Sequence, residues 1–241
     1  MNWENSIRSL EKLLKEGSER KLRFGKTLVK ASDIGEQYFC EKKVHLTYYI
    51  GEIYTRWKKI GREEHELIGG ERINLEKVIQ HINSDFIFHV GEFPVGAKIE
   101  GILLFGRVDD VLFREGRPLV LADLKTGSRY VGDDKKVQLR MYGLCLSRMG
   151  FDTSNLSLVV GVGNSTEYKN DLSIIRNNLE NSDEIRSLQI RNYRRLVFNF
   201  DYNKALSEFH WAKESWTLER EPLPTKNKKK CEKCEYKKEC I

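Results

Sequence analysis

The sequence predicts an α/β domain with a mixed central sheet flanked by helices, and three stretches carry that prediction. Gly106-Arg107-Val108-Asp109-Asp110-Val111 and Leu119-Val120-Leu121-Ala122-Asp123-Leu124-Lys125 read as strands, the second being the branched apolar run expected of a strand buried on both faces. Arg114-Glu115-Gly116-Arg117 supplies a hairpin turn between them. Residues 135–149 then read as a helix and 155–163 as another buried strand, which makes the helix a crossover between neighbouring strands.

The remaining elements follow in order. Trp3, Ile7, Leu10 and Leu14 recur at helical spacing, giving an opening amphipathic helix suited to packing or to contact with a second copy. A short strand fits 27–30. A helix then starts with Ser32 or Asp33 as its cap and carries Cys40. Residues 51–67 read as a helix bearing His65, and 74–82 as another. Residues 85–90 read as a strand, and 93–104 as strand and turn broken at Pro94, Gly96 and Gly101. His81 and His89 have no partner pattern. Residues 164–192 are polar and mixed in charge and read as a flexible insertion. A strand fits 194–201, and a helix fits 203–220, with Ala205, Phe209, Ala212 and Trp216 on one stripe.

The 241 residues are 39% apolar and 32% charged, enough for one sizeable core under a heavily charged surface. The formal net charge of +6 is compatible with a nucleic-acid partner. No run reaches bilayer length and Met1-Asn2-Trp3-Glu4 shows no signal-peptide pattern, so a cytoplasmic protein with no membrane association is expected. Five cysteines in that compartment argue for metal or cluster ligation rather than disulfides.

Two clusters of residues carry chemistry. A turn centred on Gly116 sets Asp109 opposite Asp123, and strand alternation puts Asp123 and Lys125 on one face with Leu124 on the other. Two adjacent carboxylates suit a divalent cation between them, magnesium or manganese by the hardness of oxygen ligands. A surface hairpin with ordinary charges has the same spacing. Asp110 rivals Asp109, but the two fall on opposite faces. At the C-terminus, Cys231-x-x-Cys234-x5-Cys240 places three thiols within ten residues, and Cys40 is the natural fourth ligand. On spacing alone zinc and an iron–sulfur cluster fit equally. Cys145 reads as a core residue. In the loop after Lys125, Arg129 and Tyr130 are candidates to touch phosphate or base, or plain solvated residues.

Gly106-x-x-Asp109, Asp123-x-Lys125 and Gln138-x-x-x-Tyr142, in that order, resemble the RecB-like branch of the PD-(D/E)xK nucleases. With the cysteine frame, the chain most resembles the CRISPR-associated iron–sulfur exonucleases of that branch. The Gly-x-x-Asp spacing is what selects Asp109 over Asp110. The resemblance implies that His65, Asp109 and Asp123, with the Leu124 carbonyl, hold the catalytic metal, that Lys125 assists hydrolysis, and that Gln138 and Tyr142 contact substrate. It implies a 4Fe-4S cluster on Cys40, Cys231, Cys234 and Cys240, and single-stranded DNA as the substrate of an exonuclease trimming new spacers beside the CRISPR integrase. Asp123 stands where a glutamate is usual, one methylene shorter. The expected divisions are 1–31 (helix and strand), 32–221 (nuclease domain) and 222–241 (cysteine-rich segment). A stand-alone repair nuclease and a non-catalytic DNA-binding adaptor with a structural metal remain as alternatives.

Overall fold

The computed structural model describes residues 2–53, 75–125, 131–181, 185–190 and 193–240. Its elements are α1 (Trp3–Glu16), β1 (Val29–Lys30), α2 (Ala31–Ile50), α3 (Leu75–Ile82), β2 (Phe88–Ile99), β3 (Ile102–Arg114), β4 (Arg117–Lys125), α4 (Asp133–Met149), β5 (Ser157–Val162), α5 (Ser165–Asn181), β6 (Leu188–Ile190), β7 (Tyr193–Asn199), α6 (Tyr202–Trp216) and α7 (Lys228–Glu232). The strands form one mixed sheet in the order β1-β3-β4-β5-β7-β6, with β2 paired to β3. β4 and β5 run parallel, joined through α4 as the sequence predicts, and β3–β4 is the antiparallel hairpin.

Each sheet face has its own core. One is filled by α1, α2, α3, α4 and α6, with Val137, Leu144, Phe209 and Trp216 among the buried residues. The other is covered, among the described residues, by α5, whose Tyr168, Leu172, Ile175 and Leu179 pack on Val120, Ala122, Leu124 and Val159. Residues 165–181 are therefore a core helix, not a flexible insertion. The stripe at 168, 172, 175 and 179 has helical spacing, but the polar residues between those positions mask it in composition.

Two further expectations are corrected. Residues 88–99 make one unbroken strand despite Pro94, because among the described residues β2 pairs with β3 alone and a proline is tolerated on an edge strand. The α2 cap is also different. The helix begins at Ala31 after Lys30, with no side-chain cap. Asp33 instead accepts a 2.6 Å hydrogen bond from the Tyr48 hydroxyl.

The hairpin register depends on two offsets that cancel. Arg114 faces Arg117 across a two-residue turn in which Glu115 and Gly116 both have positive φ. That turn alone would set Asp109 one residue out of line with Asp123. A bulge between Leu112 and Phe113 restores the register, so that Asp110 faces Ala122 and its neighbours Asp109 and Asp123 come together.

Candidate active site and cysteine-lined cavity

The β2–β3 ladder runs from Gly91–Asp110 to Phe93–Val108 and skips Glu92 and Asp109. Glu92 has φ +52°. Val90 and Phe93 both join the α4-side core, as do Val108 and Val111, so the facing of both strands reverses at this point. Asp109 sits at the reversal. Its Oδ2 accepts a 3.0 Å hydrogen bond from the Leu124 N–H, which takes its carboxyl group into the seam between β3 and β4. Such irregularities re-aim a side chain without ending the sheet.

Lys125 Nζ lies 2.6 Å from Asp123 Oδ2. Asp123 is buried, and neither of its oxygens has a well-aligned hydrogen-bond donor among the described residues. Burial, and then the charge of Asp123, push the Asp109 carboxyl well above its ordinary value. Burial works against the Lys125 ammonium, but Asp123, Asp109 and Asp134 outweigh it and hold the lysine charged above its usual range. Two carboxyl groups therefore crowd one ammonium in a dry site, a charge balance that a divalent cation would relieve.

Helix α4 closes the site. Gln138 Nε2 donates to the Tyr142 hydroxyl at 2.7 Å. Burial, then Asp123, raise the Tyr142 phenol well above its usual value, so it stays an O–H. The Tyr142 ring lies directly on Gly106, where an added Cβ would stand 2.4 Å from Cε1. The glycine of the Gly-x-x-Asp motif is thus the seat of the tyrosine. Gly35 plays the same part where α2 crosses α4, since a Cβ there would stand 2.7 Å from the Asp134 carbonyl oxygen.

The structure brings together Asp109, Asp123, Lys125, Gln138 and Tyr142. The Leu124 side chain turns to the opposite core, and its backbone stays in the seam. His65, Arg129 and Tyr130 lie outside the described residues. Asp134 was missed from sequence. It is one turn before Gln138 on α4, at the Gln138–Tyr142 spacing, and that periodicity could have found it.

The cysteines converge at the other end of α2. The helix is broken at Cys40, whose backbone is extended. Lys230 Nζ, from α7, donates to the freed carbonyls of Tyr38 (3.0 Å) and Phe39 (3.3 Å). The Thr225 N–H donates to Cys40 Sγ at 3.4 Å. The fully buried Tyr236 donates its hydroxyl to the Gly51 carbonyl at 2.8 Å. Lys230 is thus engaged with the backbone of α2. Cys40, Cys231, Cys234 and Cys240 all line one cavity of about 200 Å³, with Lys43, Lys230 and Lys237 around it. Burial raises the Cys234 thiol. Among the described residues, no three of His, Cys, Asp and Glu stand close enough to hold a single metal ion. Cys145 is buried in the core against the Leu104 carbonyl, as expected.

The profile of the PD-(D/E)XK nuclease superfamily matches residues 8–241. The chain belongs to this superfamily. Among solved structures, that of SSO0001 is similar over 98% of this chain and 94% of its own, at 15% identity and a TM-score of 0.47. That of a Eubacterium rectale protein assigned as an exonuclease is similar over 82% and 84%, at 10% identity and a TM-score of 0.43. No curated protein matches the chain. Membership fits the geometry: acid, acid-x-lysine and the glutamine–tyrosine pair of this superfamily member face one point. Among the described residues no helix is long and apolar enough to cross a membrane.

Proposed function

We propose that the protein is a metal-dependent exonuclease of single-stranded DNA that trims new spacers beside the CRISPR integrase. The observation that carries the hydrolytic reading is the buried Asp123 carboxyl, set beside the Asp109 carboxyl with the Lys125 ammonium at 2.6 Å as the cation that faces both. Two buried carboxyl groups sharing one ammonium leave an excess of negative charge that is costly unless a further cation offsets it.

Asp109 and Asp123 would hold magnesium or manganese, with His65 and the Leu124 carbonyl as further ligands. When bound, the ion supplies Lewis acidity and neutralises phosphate charge. The rest is the work of side chains. Lys125 is held charged and aimed into the site by Asp123, so it can stabilise negative charge gathering on a phosphate oxygen. The Tyr142 hydroxyl and Gln138 amide offer neutral hydrogen bonds to the substrate backbone beside it. Arg129 and Tyr130 would extend that contact.

The finer assignment rests on the cysteine frame. A single zinc ion draws four sulfurs to about 2.3 Å from one point. The four cysteines here instead surround a cavity of about 200 Å³ that Lys43, Lys230 and Lys237 also line. That arrangement supports a 4Fe-4S cluster tying residues 222–241 to α2, with zinc as the rival. The deciding experiment is cleavage of end-labelled single-stranded DNA in manganese, magnesium or chelator, with a visible spectrum of the same sample. Metal-dependent cutting by a brown protein is expected. Cutting by a colourless, zinc-loaded protein would replace the cluster, and DNA binding without cutting in any metal would favour the adaptor.

A further inference from the structure

Asp110 points away from the active site, into the α5 side of the sheet. It is 3% exposed. The Tyr168 hydroxyl donates to its Oδ2 at 2.7 Å, and His89 Nε2 lies 2.6 Å from its Oδ1. His89 is on edge strand β2 and its side chain is 41% exposed. It therefore stands between a buried carboxyl and solvent. These residues border a cleft of about 360 Å³ that runs under α5. Its floor is apolar, made by Leu112, Leu172 and the Tyr168 ring. Lys169 and Arg176, two helical turns apart on the exposed side of α5, stand over its rim. Arg176 has no ion-pair partner among the described residues.

The catalytic reading uses none of these groups. The Asp110 carboxyl alone would repel an anion, but both its oxygens are spent on Tyr168 and His89, so the cleft mouth presents an imidazole and two cations. The volume falls in the range of small-molecule sites. An apolar floor below a cationic rim matches one nucleotide, with base and sugar inside and phosphate outside.

We infer that this cleft is a second nucleotide site, on the sheet face opposite the acid-x-lysine motif, which takes one nucleotide of a single DNA strand with its phosphodiester on Lys169, Arg176 and His89. The inference rests on the reading that the chain acts on DNA, and its test separates the two. Binding of a fluorescein-labelled oligothymidylate is measured by anisotropy in chelator, across a salt series. Lys169→Glu combined with Arg176→Glu is expected to weaken binding about tenfold or more. It should also flatten the slope of log affinity against log salt by about 1.4, the share of two phosphate contacts on single strands. Hydrolysis of the small diester bis(p-nitrophenyl) phosphate should stay at parental level. Lys12→Glu with Lys15→Glu, equally exposed on α1, should leave the slope unchanged.

Unchanged affinity and slope in the α5 variant would overturn the site, as would an equal loss in the α1 control or loss of diester hydrolysis. Thymidine monophosphate binding as tightly as the oligonucleotide would also overturn it, in favour of a free-nucleotide pocket. Should the parent protein hydrolyse nothing, the slope result still decides the binding site by itself.

Discussion

Asp109 and Asp110 are neighbours in sequence and opposites in environment. Asp110 has a hydroxyl on one oxygen and an imidazole on the other. Asp109 accepts from the Leu124 N–H and has a second carboxyl, Asp123, beside it, with Lys125 ion-paired to that neighbour. The same side chain meets a hydroxyl and an imidazole on one sheet face and a second carboxyl on the other. A buried carboxyl retained for structure is given its hydrogen bonds, whereas one retained for chemistry is left incomplete for a ligand to finish.

The sharpest way to break that contrast is to remove each carboxyl in turn. Asp109→Ala or Lys125→Ala should lower DNA cleavage by on the order of 10²–10³-fold or more while circular dichroism shows a folded protein. Asp110→Ala should do the reverse. It leaves the Tyr168 hydroxyl buried without an acceptor, costing about 1–3 kcal/mol of stability, yet hydrolysis of a small diester at low temperature should stay within a few-fold of the parent. Full activity in both folded Asp109 and Lys125 variants would remove the catalytic assignment.

The two cysteine environments offer the next contrast. Cys40 and Cys145 are both buried, but only Cys40 borders the cavity shared with Cys231, Cys234 and Cys240. Cys40→Ala should abolish the visible absorption and lower the melting temperature, since the tie from the C-terminal segment to α2 is lost. Cys145→Ala should keep full iron content and lose only packing, roughly 1 kcal/mol or somewhat more for a small buried side chain. Equal iron in both variants would remove Cys40 from the ligand set.

Much of this was legible in the sequence because it rests on short-range rules. Strand alternation separates Asp109 from Asp110, and helical spacing pairs Gln138 with Tyr142. Cys-x-x-Cys-x5-Cys likewise marks the terminal segment. Other features depend on tertiary contacts that no local pattern encodes. The bulge at Leu112–Phe113 and the reversal at Glu92–Asp109 follow from how the strands pair. His89 finds Asp110 only because β2 lies against β3. The extended backbone at Cys40 interrupts a run that reads as continuous helix, and it is held by Lys230 from far along the chain. The stripe of α5 was readable by period, but composition alone concealed it.

The smallest effect is a pH dependence to which Asp109 contributes, together with Asp33, whose carboxyl burial also raises. In the folded, metal-free protein the Asp109 pKa is raised above the unfolded value, by burial first and by Asp123 second. Between those two values the native state holds a proton that the unfolded state has released, so stability falls as pH rises through the window. Each unit of that difference is worth about 1.4 kcal/mol, or about 3–6 °C of melting temperature for a chain of this size. Melting in chelator should therefore decline from the ordinary carboxylate range upward, and manganese should flatten the decline because it binds the ionised form. Asp109→Asn should flatten it without metal. A decline undiminished in Asp109→Asn would assign the proton to other groups such as Asp33 and end the claim that Asp109 is the carboxyl left for a cation.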